Sequence, residues 1–291
     1  MSNYQPPYTI AEIGGNHKGN LEIAKEMIKV ASIFCKVDAV KFQKRNNIEL
    51  LTKEQYEAPH PNPINAYGDT YGAHREFLEF NLEQHAELKT YCEEMGVTYS
   101  TSVWDLTSAQ EIASLEPEFI KIPSACNNHF EMLKWLCTNY SGEIHASTGM
   151  TTKDEINKLV EFFEAHNRAK DLVLYNCTSG YPVPFQDVCL LDISTLINEY
   201  GSRIKSIGFS GHHLGIAVDV AAYTLGAHIV ERHYTLDRTW KGTDHSASLE
   251  PAGMRKLARD LRAVHQALTH KQTDILPIEQ VQRDKLKYRK A

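Results

Sequence analysis

Glu143-Ile144-His145-Ala146-Ser147-Thr148, then an amphipathic stretch over Lys153–Ala165, then Leu172-Val173-Leu174-Tyr175-Asn176-Cys177-Thr178, reads as strand, helix, strand. The helix start is marked: Thr151-Thr152-Lys153-Asp154-Glu155 places hydroxyls before acids, as a capping box does. Outward from this unit the same alternation recurs. Short β-rich runs lie at Tyr8–Gly14, Ala39–Gln43, Thr98–Val103, Phe119–Ser124, Ser206–Gly211 and His228–Tyr234. Helical patterns follow at Leu21–Phe34, Leu82–Met95, Ser108–Leu115, Phe130–Thr138, Asp187–Tyr200, Ile216–Leu225 and Glu250–Leu268, the last opened by Glu250-Pro251. Gly96 and Gly201 follow helical segments, where glycine commonly caps. Eight alternations predict a parallel sheet, and eight units close a (β/α)8 TIM barrel. A doubly wound open sheet competes, but no GxGxxG follows any strand. The barrel is expected over residues 1–270, with 271–291 as a basic tail or linker.

Bulk properties agree with one large core. The chain has 291 residues, 42% hydrophobic and 23% charged, ordinary for a soluble enzyme. A net charge of −6 argues against a broad nucleic-acid footprint, though not against a local anion pocket. No apolar run of about 18 residues exists, so no membrane span is expected. Met1 to Ile10 carries no signal-peptide core. The six cysteines form no CxxC pair and read as reduced thiols in a cytoplasmic protein. One connection is long: Asn46–Phe80 holds three prolines and little periodicity, follows the second strand, and is expected to rise over the catalytic face.

Strand parity locates the polar groups. Glu12 opposes Ala11 and Ile13; Lys41 and Gln43 oppose Val40 and Phe42; Lys121 opposes Ile120 and Ile122. His145 and Ser147 share a face, as do Gly208, Ser210 and His212, and as do Glu231 and His233. Both faces of a barrel strand are covered, so such charge must be paired, metal-bound or wetted by a cavity. A convergent polar pocket at the strand ends explains six strands at once.

Lys41 and Lys121 facing one centre repel unless an anion lies between them, and a phosphate or carboxylate is the natural occupant, with Ser124, Ser147 and Ser210 as neutral donors. Separate salt bridges, or a Schiff-base lysine, are the alternatives. His212 and His233 end adjacent strands on matching faces and could bind a divalent metal, Mn2+ or another ion preferring octahedral geometry, leaving positions for water or substrate. His213 and His245 are decoys or supporting groups. Glu12 and Asp244 are candidate acid–base or hydroxyl-binding groups, and Asp244 could instead cap a turn.

Several motifs together resemble a known family. Ala11-Glu12-Ile13-Gly14-Gly15-Asn16-His17, Asp38-Ala39-Val40-Lys41-Phe42-Gln43, Phe119–Ser124, Ser147-Thr148-Gly149-Met150, Tyr181-Pro182-Val183-Pro184, Gly208–His212, Glu231-Arg232-His233-Tyr234 and Asp244–Pro251 are similar, in order, to sialic acid synthases. The resemblance implies a barrel that joins phosphoenolpyruvate to N-acetylmannosamine or a related sugar aldehyde and releases phosphate. It implies that Lys41, Lys121, Ser124, Ser147, Ser210 and Tyr181 hold phosphoenolpyruvate, with Ser179 where the family often has Asn. It implies that His212 and His233 bind the metal, with Mn2+ first and Mg2+ or Co2+ as alternatives, and that Glu12, Gln43 and Asp244 contact the sugar or metal-bound water. It also implies a homodimer.

Two departures bear on the acceptor. Gly211 stands where the family usually has Asp, so an acid near the metal is expected to be missing. Many members carry a C-terminal antifreeze-like domain that reaches the partner's site with an Arg, and the catalytic barrel is expected here without it. The acceptor is therefore expected to differ from plain N-acetylmannosamine, or to be held more loosely, with His74 and Arg75 of the long connection as replacement contacts. A Schiff-base aldolase of a 2-keto-3-deoxy sugar acid and a non-catalytic sugar-binding barrel are the rival readings.

Overall fold

The computed structural model describes residues 4–288 and forms one closed barrel of eight parallel strands in sequence order. These are β1 (Tyr8–Gly14), β2 (Ala39–Lys44), β3 (Thr98–Val103), β4 (Phe119–Ile122), β5 (Glu143–Ser147), β6 (Leu172–Cys177), β7 (Ser206–Gly211) and β8 (Ile229–His233). Around them run α1 (Leu21–Lys29), α2 (Asn47–Leu50), α3 (Lys53–Glu57), α4 (Tyr71–Leu78), α5 (Leu82–Met95), α6 (Leu106–Ser114), α7 (Phe130–Asn139), α8 (Lys153–Ala165), α9 (Asp192–Tyr200), α10 (Ala217–Thr224), α11 (Pro251–Ala267) and α12 (Pro277–Leu286). No helix among the described residues is long and apolar enough to cross a membrane.

The caps are chemical and local. Thr152 and Glu155 form the expected capping box of α8, and Asn81 with Gln84 forms another on α5. Gly96 ends α5 at φ 66°, a conformation that costs a side-chain-bearing residue energy. Gly201 differs from expectation. It stays right-handed at φ −58°, and a Cβ there would lie 2.5 Å from the Ile197 carbonyl oxygen, so close approach rather than a left-handed cap selects glycine.

Three other segments depart from the periodicity reading. Leu21–Phe34 is not one regular helix: beyond Lys29 it widens to a π-helical turn, Val30–Cys35, packed against α11. Asp187–Tyr200 is interrupted by Cys189 at φ 53°, so α9 starts at Asp192. The Asn46–Phe80 connection contains α2, α3, a 3-10 turn at Pro63–Asn65, and α4. Asn46, Thr52 and Thr70 cap its three α-helices by accepting from backbone N–H groups. Each helix is too short for a repeating apolar stripe, which is why the pattern looked structureless. The tail forms α12, exposed along its length, while residues 289–291 of the expected tail lie outside the described residues.

The strand parity holds. Val40, Phe42, Ile120, Ile122, Ile144 and Phe209 pack outward against helices. Inside, Ile10, Ala39, Phe119, Val173, Tyr175 and Ile229 plug the lower barrel. His145 belongs to this plug: it stacks on Phe119 at 4.2 Å and meets the Tyr175 hydroxyl at 2.8 Å. Above the plug the inward positions turn polar, and register aligns them. Glu12 sits beside Lys41 and His233, Ser102 beside Lys121, and Ser210 beside Glu231. A bulge between Glu12 and Gly14, with Gly14 at φ 54°, bends the end of β1 away; a Cβ on Gly14 would lie 2.9 Å from the Gln43 amide nitrogen.

Candidate active site

A cavity of about 480 Å³ opens at the C-terminal ends of the strands, the face where barrel enzymes carry their chemistry. Glu12, Lys41, Gln43, Lys121, Ser124, Ser147, Ser179, Tyr181, Ser210, His212, His233 and Asp244 all line it, so twelve of the thirteen expected residues converge.

The thirteenth, Arg75, does not reach the lining. It lies on α4 with its guanidinium 5.6 Å from the Trp104 ring, and Trp104 faces the cavity. His74 is buried in the connection, accepting from the Tyr67 backbone N–H and packing on His60. The two decoy histidines are also elsewhere: His245 meets Thr235, and His213 points outward toward the Arg232–Asp219 ion pair.

The floor is a four-charge cluster. Lys41 contacts the Glu12 carboxylate and donates to Ser102 at 2.6 Å. Glu231 lies 3.1 Å from Lys121 and 3.8 Å from Lys41, and accepts from Ser210 at 3.1 Å. The Lys121 ammonium rests 3.4 Å above the Tyr175 ring. The anion between the two lysines is therefore the protein's own Glu231. Parity placed Glu231 on the inner face, yet a role for it could only be read once β4 and β8 were brought together across the barrel.

Two lysines and two glutamates leave the cluster neutral. Burial raises the Glu12 carboxyl against the pull of Lys41. For Glu231, burial also acts upward, but Lys121 and Lys41 outweigh it and hold the carboxyl at about 2. Burial depresses the Lys121 ammonium, which Glu231 opposes. Each ammonium has three donors, so both lysines can accept an incoming anion by exchanging partners.

Ser124, Ser147, Ser179 and Ser210 surround this floor. Gly149 lets them approach: a Cβ there would lie 2.4 Å from Ser179 Oγ and 2.8 Å from Ser124 Oγ. Gln43 donates to Glu12 at 3.2 Å. Asp244 does not cap the following 3-10 turn with its side chain, so its carboxylate remains directed to the cavity rim.

The two histidines sit with ring centres 5.4 Å apart, and Tyr181 packs on both. His212 Nδ1 donates to the Thr178 carbonyl at 2.9 Å, which leaves Nε2 as a lone-pair donor. Burial, then the neighbouring His233, lower His212 to about 4, so its imidazole is neutral near pH 7. His233 Nδ1 is buried without a hydrogen-bond partner. Among the described residues no group of three His, Cys, Asp or Glu side chains could hold a metal. Two imidazoles whose unpaired ring nitrogens lie beside one cavity are a donor set that could hold a divalent ion.

Position 211 corrects one expectation. Gly211 faces outward, away from the histidine pair. A Cβ there would lie 2.8 Å from ring carbons of both His213 and Phe209. That outer pocket already holds a buried carboxylate, Asp219, 2.5 Å from Arg232 and 3.2 Å from His213. Arg232 also donates to the His213 carbonyl at 2.5 Å, which ties down the chain just beyond His212. An acid at position 211 would thus not be directed at His212 and His233. Gly211→Asp is therefore expected to lower stability by about 1–3 kcal/mol through overpacking, with no gain in metal affinity. Urea denaturation and metal titration check this, and tighter metal binding would overturn it.

Sequence reasoning also missed Ser102, Arg45, Trp104 and Cys177 in the lining. Ser102 was legible as the inward partner of Gln43, whereas Arg45 and Trp104 lie just past strand ends, where parity stops.

The NeuB family profile matches residues 27–273. N-acetylneuraminate-9-phosphate synthase of Homo sapiens is 38% identical over 98% of this chain and 78% of its own length. N,N'-diacetyllegionaminic acid synthase of Campylobacter jejuni is 31% identical over 89% of this chain and 76% of its own length. A crystal structure of N-acetylneuraminic acid synthetase from Leptospira borgpetersenii superposes with a TM-score of 0.80 at 27% identity, covering 98% of this chain and 94% of that one.

Proposed function

This chain belongs to the NeuB family, and on that premise we propose that it condenses phosphoenolpyruvate with the aldehyde of an N-acylated hexosamine or related aldose. The products are a 3-deoxy-2-keto nonulosonic acid and inorganic phosphate. The observation that carries this reading is the convergence of two buried lysines, four serines and two imidazoles on one cavity.

Lys41 and Lys121, with Ser124, Ser147, Ser179 and Ser210, hold the carboxylate and phosphate of phosphoenolpyruvate by charge-assisted hydrogen bonds. The open-chain aldehyde lies toward His212 and His233, with Gln43, Tyr181 and Asp244 on its hydroxyls. His212 and His233 would hold a divalent ion, Mn2+ first and Mg2+ or Co2+ as alternatives, which supplies Lewis-acid polarisation of the aldehyde oxygen.

The enolpyruvate methylene carbon forms the C–C bond to the aldehyde carbon, whose oxygen becomes a hydroxyl. Water adds to the enolpyruvate C2, and the tetrahedral centre loses phosphate to leave the keto group. Glu12, raised by burial, is placed to move a proton at the aldehyde oxygen or at the attacking water. The lysines keep the two anionic ends apart and aligned, which lowers the entropic barrier.

Phosphate release from phosphoenolpyruvate across a panel of hexosamines and shorter aldoses, with Mn2+, tests the reading. Absence of release with every aldose refutes it. Borohydride trapping with pyruvate is expected to give no adduct, which separates it from a Schiff-base aldolase. Chelation is expected to abolish turnover, and His212→Ala or His233→Ala to lower bound metal measured by elemental analysis. Full activity in a metal-free sample would refute the metal assignment. The homodimer and the cytoplasmic location belong to the same proposal, and light scattering showing a monomer at assay concentration would count against the first.

A further inference from the structure

The long connection after β2 docks on the loop that follows β8, through contacts that the floor chemistry does not use. The Tyr67 hydroxyl donates to the Lys241 carbonyl, and the Lys241 ammonium lies 5.2 Å from the Tyr67 ring centre. One residue on, the Gly242 N–H donates to the Asn65 side-chain oxygen at 3.4 Å. These partners are 174 and 177 residues apart in the chain, so the contacts belong to the tertiary fold rather than to local turn chemistry. Tyr67 is itself fixed. Its backbone N–H donates to His74 Nδ1 at 3.0 Å, and its ring stacks on Phe77 at 4.8 Å with the planes 3° apart. His74 thus serves the connection by orienting Tyr67.

What these contacts hold is the approach to Asp244. Residues 241–244 lie between β8 and the 3-10 turn His245–Ala247, outside any helix or strand. Gly242 has φ 147°, and a Cβ there would lie 2.6 Å from the His245 ring, so the loop passes close over that ring. Thr243 and Asp244 line the cavity. The Asp244 carbonyl accepts from the Ser248 hydroxyl at 2.7 Å, but among the described residues no hydrogen bond or ion pair holds its carboxylate. The place of that carboxylate therefore follows the backbone on either side. Ser248 fixes the following side, and Tyr67 and Asn65 fix the preceding one.

We propose that Tyr67 and Asn65 are positioning residues: they anchor the backbone of Lys241 and Gly242 and so hold Asp244 where it meets the hydroxyls of the acceptor. The contact of Asp244 with an acceptor rests on the condensation reading; the anchoring does not. A polar side chain meets its substrate in productive geometry only when the groups behind it are themselves held. Loss of such a support misplaces the side chain without removing it. Neither Tyr67, Asn65 nor His74 lines the cavity, so the connection acts on the acceptor through the β8 loop. Phosphoenolpyruvate, on the lysine and serine floor, lies outside its reach.

Tyr67→Phe removes the hydroxyl and keeps the stack on Phe77, and Asn65→Ala removes the acceptor of the Gly242 N–H. Hydrogen exchange followed by mass spectrometry over residues 241–244 is expected to quicken about fivefold in each variant, with the thermal midpoint nearly unchanged. Steady-state kinetics use N-acetylmannosamine first, then the aldose of the panel that gives the fastest phosphate release. Tyr67→Phe is expected to raise KM for the aldose about fivefold and to leave kcat and KM for phosphoenolpyruvate within about twofold of wild type. In an Asp244→Asn background the same substitution is expected to add no further loss, because the group it positions is already disabled. A hydroxyl with a merely structural role would not show that non-additivity. Unchanged exchange in both variants would overturn the anchoring. A loss that persists in full beside Asp244→Asn, or that falls equally on phosphoenolpyruvate, would overturn its link to Asp244. Absence of turnover with every aldose would instead sink the condensation reading, while the exchange data still decide the anchoring.

Discussion

Lys121→Ala is expected to cut kcat/KM for phosphoenolpyruvate by about 10³-fold, the scale seen when a charge-stabilising donor leaves a water-poor site. Lys121 is fully buried at the cavity floor and is the nearer of the two cations to Glu231. Its removal has two consequences. The incoming anion loses a charge-assisted donor, and Glu231 keeps only Lys41 at 3.8 Å and the Ser210 hydroxyl. Breaking a buried pair from one side costs about 3–5 kcal/mol, so the variant will also be less stable. Lys121→Met combined with Glu231→Gln separates the two effects. That variant leaves no uncompensated charge, so much of the lost thermal stability is expected to return, while activity does not. Steady-state kinetics with phosphoenolpyruvate and thermal denaturation read both quantities. A single variant within tenfold of wild-type kcat/KM would show that the floor lysine is structural.

The same cluster shows how far residue order alone carries. Inward and outward faces were legible because a strand alternates strictly, so Lys41 against Phe42 and Lys121 against Ile122 needed no coordinates. Closure of the sheet was legible through the count of eight units. What a single strand cannot show is its partner across the barrel. Glu231 and Lys121 are 110 residues apart and meet only when the ring closes. The outward face was misread at Gly211 for a related reason: the acid that fills that pocket comes from Asp219 on α10, not from the strand. The long connection failed differently. Its helices start at local N-caps and turn extended after one or two turns, so no periodic signal accumulates. Arg75 was picked from position in the chain; it lies 5.6 Å from the Trp104 ring, and Trp104 lines the cavity while Arg75 does not.

Acidification from pH 7 to pH 5 is expected to strip about 6 kcal/mol from the stability of the fold through three deeply buried uncharged histidines alone, with His74, His212 and His245 acting in the same direction. His17 stacks on Phe80 at 4.1 Å, and burial, then Arg45, lower it to about 3. His85 meets the Tyr99 hydroxyl at 2.8 Å, and burial, then Lys44, lower it to about 3. His145, in the barrel plug, is lowered to about 4 by burial despite the opposing hydrogen bond to Glu143. In the unfolded chain each titrates near its ordinary 6.5. Between 6.5 and the folded value the unfolded state therefore holds more protons, so stability falls as pH falls through that window and is complete above it. At pH 5 the difference amounts to roughly 2 kcal/mol for each ring, a large share of the about 5–15 kcal/mol that holds a typical domain. Glu143 adds to the loss at lower pH. His145 first, with burial opposing, holds it at about 2, so its contribution is present above its unfolded value and disappears as pH falls toward 2. Urea denaturation followed by circular dichroism at pH 8, 7, 6 and 5 measures the effect. The midpoint is expected to be level from 8 to 7 and to drop steeply below 6.5, and His85→Gln should remove roughly one proton from the slope. A midpoint that stays level down to pH 5 would mean that these rings gain a proton in place, and that the plug beneath the active site tolerates charge.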